Sequence, residues 1–201
     1  MAHRPRTEMI AETRAKLVTA ARKAFGTVGY AEASMDDFTA EAGLTRGALY
    51  HHFGGKKGLF EAVVAELDRE MSERILVISR QAPDPWRAFV VECTSYIEMA
   101  LDPEIQRIVH RDGPAVLGDP FTWANQDGCI ASMTKSLRQL KASGDLRPDV
   151  EPEAAARLIN GASLYASQWI ANAEDPEGVS KKAVVAFEAL LEGLLEERPL
   201  R

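Results

Sequence analysis

The chain has 201 residues, 46% hydrophobic and 27% charged, with a formal net charge of -6, which provides enough apolar surface for one domain or two small ones and excludes disorder over most of its length. No run approaches the roughly 18 consecutive apolar residues of a membrane span, and the start, Met1-Ala2-His3-Arg4-Pro5-Arg6, lacks the apolar core of a signal peptide, so a cytoplasmic protein without a membrane partner is expected. Charge is segregated: residues 1–58 carry nine basic against six acidic side chains and the remainder fifteen against twenty-four, which suits phosphate contact at one end of the molecule.

The dominant period is helical. Thr7 reads as an N-cap, Ile10, Leu17, Ala21, Phe25 and Val28 recur at helical spacings, and Gly29 follows as a stop, which predicts a first helix over about 8–28. Ser34 caps a short second helix to about Ala42, with Asp37 at the capping-box position and Gly43 as terminator. Thr45 caps a third over about 46–52, and Gly54-Gly55 breaks the chain before a long segment from Lys56 to about Ser79. Further helices are predicted over about 85–101, 103–111, 120–143, 153–173 and 179–197, with Gly113-Pro114, Gly144-Asp145 and Asp175-Pro176 as breaks. No useful period-2 run occurs, so the expected fold is all-α with about nine helices.

The informative stretch is SMDDFTAEAGLTRGALYHHF, residues 34–53. Two short capped helices around Ala42-Gly43-Leu44-Thr45 make the tight turn of a helix-turn-helix, whose second helix enters the major groove of DNA. Phe38, Ala42 and Leu44 would hold the pair together, and Leu49 and Phe53, four apart, should pack inward and turn Gly47, Ala48 and His51 outward. Gly47 and Ala48 are small where a backbone must approach another body closely. Arg46 has the fork that reads guanine O6 and N7, His51 suits a base edge, and Thr45, Tyr50 and His52 suit phosphate oxygens. Lys56 adds a cation at the N-terminus of the next helix, where the exposed amides and the dipole already favour an anion. Ser34, the cap of the first helix of the pair, completes the candidate DNA-binding set.

From Thr13 to Val63, the runs AARKAFGTVGY, AGLTRGALYHHF and KKGLF resemble the DNA-binding domain of tetracycline-repressor-like (TetR/AcrR) transcriptional regulators. That resemblance implies a homodimer with three N-terminal helices on operator DNA, a fourth linking helix, and a body whose last two helices form a four-helix bundle with the partner's. It places Arg46, Gly47, Tyr50 and His51 toward the groove and Thr45, His52 and Lys56 toward the backbone. Two departures stand out. Phe38-Thr39 replaces a small aliphatic followed by Ala, which bears on how the two helices pack, and Lys57-Gly58 makes the start of the linking helix more basic and looser. The domain division expected is 1–54 for DNA binding, with the linking helix from about 56, and 55–201 for regulation and dimerisation.

In the body, Ala155, Leu158, Ala162, Ala166 and Trp169, and then Val184, Phe187, Leu191, Leu194 and Leu195, form apolar stripes that either close a two-fold interface or fold back on the chain's own core. Tyr96, His110, Phe121, Trp123 and Trp169 are the candidate contacts for an unidentified small-molecule effector. Cys93 and Cys129 lack metal or disulfide spacing and read as buried small hydrophobes, with thiol redox sensing as the alternative; no metal or cofactor is called for. An enzyme using His110, Asp112 and a serine has no supporting motif, so none is expected. The expected function is a bacterial repressor released from a palindromic operator by a ligand, the alternative a constitutive DNA-binding dimer without effector.

Overall fold

The structure is a computed structural model that describes residues 6–196. Helix α1 is Arg6–Glu32, α2 is Met35–Glu41, α3 is Arg46–Phe53, α4 is Lys56–Ser79 and α5 is Pro85–Glu98, extended by a 3-10 turn over Met99–Leu101. Helix α6 joins Pro103–Ile105, a π-helical stretch Gln106–Asp112 and Gly113–Leu117; after a 3-10 turn at Pro120–Thr122 come α7 (Gln126–Ala142), α8 (Pro152–Ala171) and α9 (Pro176–Glu192). Among the described residues the only pairing of extended backbone is an isolated bridge between Leu146 and Leu195.

The chain divides into two compact units, 1–68 with 103–118, and 69–102 with 119–201. The core of the first is an aromatic cluster: Phe25 lies 5.1 Å from Phe60, 5.9 Å from Phe38 and 5.7 Å from Tyr30, ring centre to ring centre. Edge-on geometry in two of these pairs suits the ring quadrupoles. Phe38, the larger residue at a usually aliphatic position, is thus how α2 is anchored to α1. Arg22 of α1 ties in α4 and α6, with Nε and Nη2 on the two Glu104 oxygens at 2.9 and 2.8 Å and Nη1 on Glu66 at 3.2 Å.

Gly29 interrupts α1 at φ 83, ψ 169, a conformation that only glycine adopts cheaply, and an added Cβ would stand 2.8 Å from Arg107 Nη1 and 3.3 Å from Asp112 Oδ2. The stop predicted there is real, although helix resumes to Glu32. The next residue, Tyr30, donates its amide to Asp112 Oδ2 at 2.7 Å, so the carboxylate satisfies backbone freed by the break. Gly29→Ala is therefore expected to cost about 1–3 kcal/mol, read as a lower urea midpoint with unchanged slope; an unchanged midpoint would contradict this account.

Several boundaries differ from expectation. Thr7 lies inside α1 rather than capping it. The break at Gly113-Pro114 is absent: Pro114 has no amide to donate, and the turns before it are wound as π-helix, with the Gly113 amide bonded to the Ile108 carbonyl, so helix continues to Leu117. Residues 120–125 form a separate turn, so α7 starts at Gln126. Helix α9 ends at Glu192 because the following chain pairs with the loop after α7, through Arg147 N to Leu194 O and Glu196 N to Asp145 O, both 3.0 Å. The predicted end near 197 lies outside the described residues.

The second unit packs Phe89, Val90, Cys93 and Ile97 of α5 against Leu137 and Leu140 of α7, Ala156, Ile159 and Ile170 of α8, and Ala183, Phe187 and Leu191 of α9. Phe187 and Leu191 thus belong to the chain's own core. The large apolar residues that α8 and α9 leave exposed are Leu158 (76%), Tyr165 (71%), Trp169 (47%), Val185 (68%) and Leu190 (69%). Leu158, Ala162, Tyr165 and Trp169 follow the 4-3-4 spacing of a helix-packing seam.

Candidate nucleic-acid interface

Helix α2 starts where Ser34 Oγ accepts the Asp37 amide at 3.5 Å, and α3 starts where Thr45 Oγ1 accepts the Ala48 amide at 3.2 Å. Between them Gly43 sits at φ 66, the left-handed residue that lets the chain reverse within the turn. Leu49 is fully buried, whereas Arg46, Gly47, Tyr50 and His51 are exposed and Ala48 and His52 half-buried. A Cβ on Gly47 would meet only Thr45 Oγ1, at 3.6 Å, so nothing inside the chain demands a small residue there. A glycine on this exposed face suits close approach by another body.

The other predicted residues are placed as follows. Lys56 donates from Nζ to the Ala31 carbonyl at 3.2 Å and stands 4.6 Å from the centre of the Tyr30 ring, bound to the end of α1. The rings of His51 and His52 meet edge-on at 5.0 Å. Loss of solvation, then the neighbouring His51 and the Arg14 charge, lower the His52 pKa, which favours the neutral ring. Gly58 is a close-contact position: a Cβ there would fall on the Phe53 carbonyl oxygen.

Two side chains that sequence reasoning passed over act on α3. Arg14 of α1 donates from Nη1 to the His52 carbonyl at 2.7 Å and lies 4.4 Å over the Phe53 ring, pinning the last turn of the recognition helix. Asp36 of α2 forms an ion pair with Arg46, its Oδ1 2.8 Å from Nε. Neither partnership is visible as local spacing, because each crosses between helices.

Of the effector candidates, Tyr96, Phe121, Trp123 and Trp169 lie in the second unit and His110 in the first. Phe121 and Trp169 are exposed, Tyr96 and Trp123 half-buried, and His110 buried. Burial pushes the His110 pKa down to about 4, so its ring is neutral near pH 7. A cleft of about 490 Å³ in the first unit is lined by Thr19, Arg22, Lys23, Gly26, Thr27, Pro103 and Glu104, none of them a predicted contact. In the second unit Asn160 donates to the Gln126 side-chain oxygen at 2.8 Å in buried surroundings, and the Ser167 hydroxyl is fully buried with no hydrogen-bond partner. Burial pushes the Cys93 thiol up to about 12, with the Glu92 charge adding to it, which disfavours the reactive thiolate.

The capped helix pair and its small outward face match the model for bacterial regulatory proteins of the tetR family over residues 17–63, and residues 86–194 match the tetracyclin repressor-like C-terminal domain. The chain belongs to the TetR family. This TetR-family protein is a DNA-binding transcriptional regulator, as its relatives are. It is 43% identical over 189 residues to the HTH-type transcriptional regulator SrpR of Pseudomonas putida, covering 90% of this chain and 85% of the relative. It is 28% identical over 188 residues to the HTH-type transcriptional repressor AcnR of Corynebacterium jeikeium, covering 85% and 88%. A solved TetR-family regulator from Pectobacterium atrosepticum superposes with a TM-score of 0.87 at 49% identity, covering 98% of this chain and all of that one. No described helix of this regulator is long and apolar enough to cross a membrane.

Proposed function

We propose that this regulator is a homodimeric repressor that occupies a two-fold symmetric operator through α3 and leaves it when a small molecule binds the body. The observation that carries the DNA-reading part is the outward face of α3, where exposed Arg46, Tyr50 and His51 surround Gly47, a small residue that internal packing does not require. Arg46 reads guanine; Tyr50 and His51 reach into or beside the groove; Thr45, His52, Lys56 and Ser34 hold the phosphate backbone. DNA reading is assigned to 1–54 and regulation and dimerisation to 55–201, with α6 as the regulatory segment that packs into the first unit.

The exposed seam on α8 and α9 supports an isologous dimer, because so much apolar surface is costly to leave in water. The buried Ser167 hydroxyl without a partner supports an effector that brings a hydrogen-bonding group into the second unit. Effector binding needs only a few kcal/mol of difference between two dimer states to change the spacing of the recognition helices away from half-sites about 34–36 Å apart.

The test is titration of the protein against the DNA upstream of its own gene at several salt concentrations, beside Arg46→Ala. Binding should weaken steeply with salt, and the variant should lose about 1–3 kcal/mol of discrimination against a changed guanine. Binding indifferent to sequence in both proteins would overturn the assignment of α3. A constitutive DNA-binding dimer is the reading left if operator affinity withstands every candidate effector while sequence preference is intact.

A further inference from the structure

Arg46 leaves the first turn of α3 with its guanidinium already engaged: Nε contacts Asp36 Oδ1 at 2.8 Å, from the first turn of α2. Both side chains are more than half exposed, 56% and 67%. An ion pair this exposed adds little to stability. The helix dipole favours a negative charge in the first turn of α2, but Asp37 stands in the same turn, so that preference does not single out Asp36. Nor is Asp36 the cap of α2, because Ser34 holds that place on the Asp37 amide.

We propose that Asp36 is a specificity-determining residue that acts through Arg46, holding the guanidinium so that it meets a guanine and not a phosphate; this rests on the reading of Arg46 as the base-reading side chain. An arginine has five N–H donors in a rigid plane, and contact through Nε leaves the two terminal nitrogens to span guanine O6 and N7 end-on. An untethered arginine reaches a phosphate as readily as a base, and phosphate contact carries no sequence information. The tether removes those alternatives. The carboxylate also repels the DNA backbone, and the pair is close to neutral as a unit, so the arrangement gives up non-specific attraction and gains discrimination.

That trade has a signature of opposite signs. Asp36→Ala should bind random-sequence DNA several-fold tighter, with a salt slope steeper by about one charge equivalent, while its preference for guanine at the base read by Arg46 falls roughly tenfold. Asp36→Asn, which keeps an acceptor and loses the charge, should gain random affinity and retain part of the preference. The measurement is selection from a library randomised across the half-site, together with salt titrations on random DNA, for wild type, both Asp36 variants, Arg46→Ala and the Asp36→Ala/Arg46→Ala double variant. In the Arg46→Ala background, Asp36→Ala should leave base preference unchanged. If Asp36→Ala tightens binding to every sequence with preference intact, Asp36 only repels DNA or masks Arg46, and the inference is overturned. If it weakens all binding together with thermal stability, the pair is structural and the inference is equally overturned. If Arg46→Ala leaves preference untouched, the reading of Arg46 falls first and this inference with it.

Discussion

Leu158→Arg combined with Leu190→Arg is expected to yield a folded monomer that binds the proposed two-fold operator about 10²–10⁴ times more weakly than wild type. Both side chains are largely exposed on the chain itself, at 76% and 69%, so charge there disturbs no internal packing and far-ultraviolet dichroism should match wild type. In a dimer the same positions would be desolvated against the partner's copies, and two-fold symmetry brings like charges together at the centre of the seam. Losing the dimer makes the second half-site a separate binding event, and the effective concentration that linked the two sites disappears. Sedimentation equilibrium reads the association directly. A variant that stays dimeric would place the interface elsewhere, and a monomer with undiminished operator affinity would mean that one copy suffices.

Phe25→Ala should cost about 3–5 kcal/mol, a large share of the 5–15 kcal/mol typical of a folded domain. Phe25 is fully buried and touches Phe38, Phe60 and Tyr30, so its removal leaves a cavity at the point where α1, α2 and α4 are held together. Operator binding should fail in parallel, since Phe38 is the anchor of α2 and the helix-turn-helix depends on it. Phe25→Leu, closer in volume, should cost less than half as much. Urea unfolding followed by dichroism supplies both numbers; a loss below about 1 kcal/mol for the alanine variant would show that the cluster is not the keystone of this unit.

The parts of this protein legible in its sequence are those governed by neighbours a few residues apart. Ser34, Thr45 and Gly43 announced the two short helices and the turn between them because caps and left-handed terminators act within one turn of backbone. Leu49 announced the inner side of α3 by helical spacing alone, and the AARKAFGTVGY, AGLTRGALYHHF and KKGLF runs announced the family that the match over residues 17–63 shows. Exposure and burial on α9 were not legible. Its apolar residues cover much of the helix surface, so periodicity could not say whether Phe187 and Leu191 or Val185 and Leu190 face outward; packing against α5, α7 and α8 put the first pair in the core.

The sequence by itself determined an all-helical chain, the helix-turn-helix and the family, because these follow from local propensity and a long, specific run of residues. Tertiary structure alone decided that 103–118 packs with the DNA-binding helices, that Arg14 pins the end of α3, and that Asp36 holds Arg46. Each of those depends on side chains from different helices arriving at the same place, through burial of apolar residues such as Leu17, Phe60, Ile105 and Ile108 that are too far apart in the chain for any local window to contain.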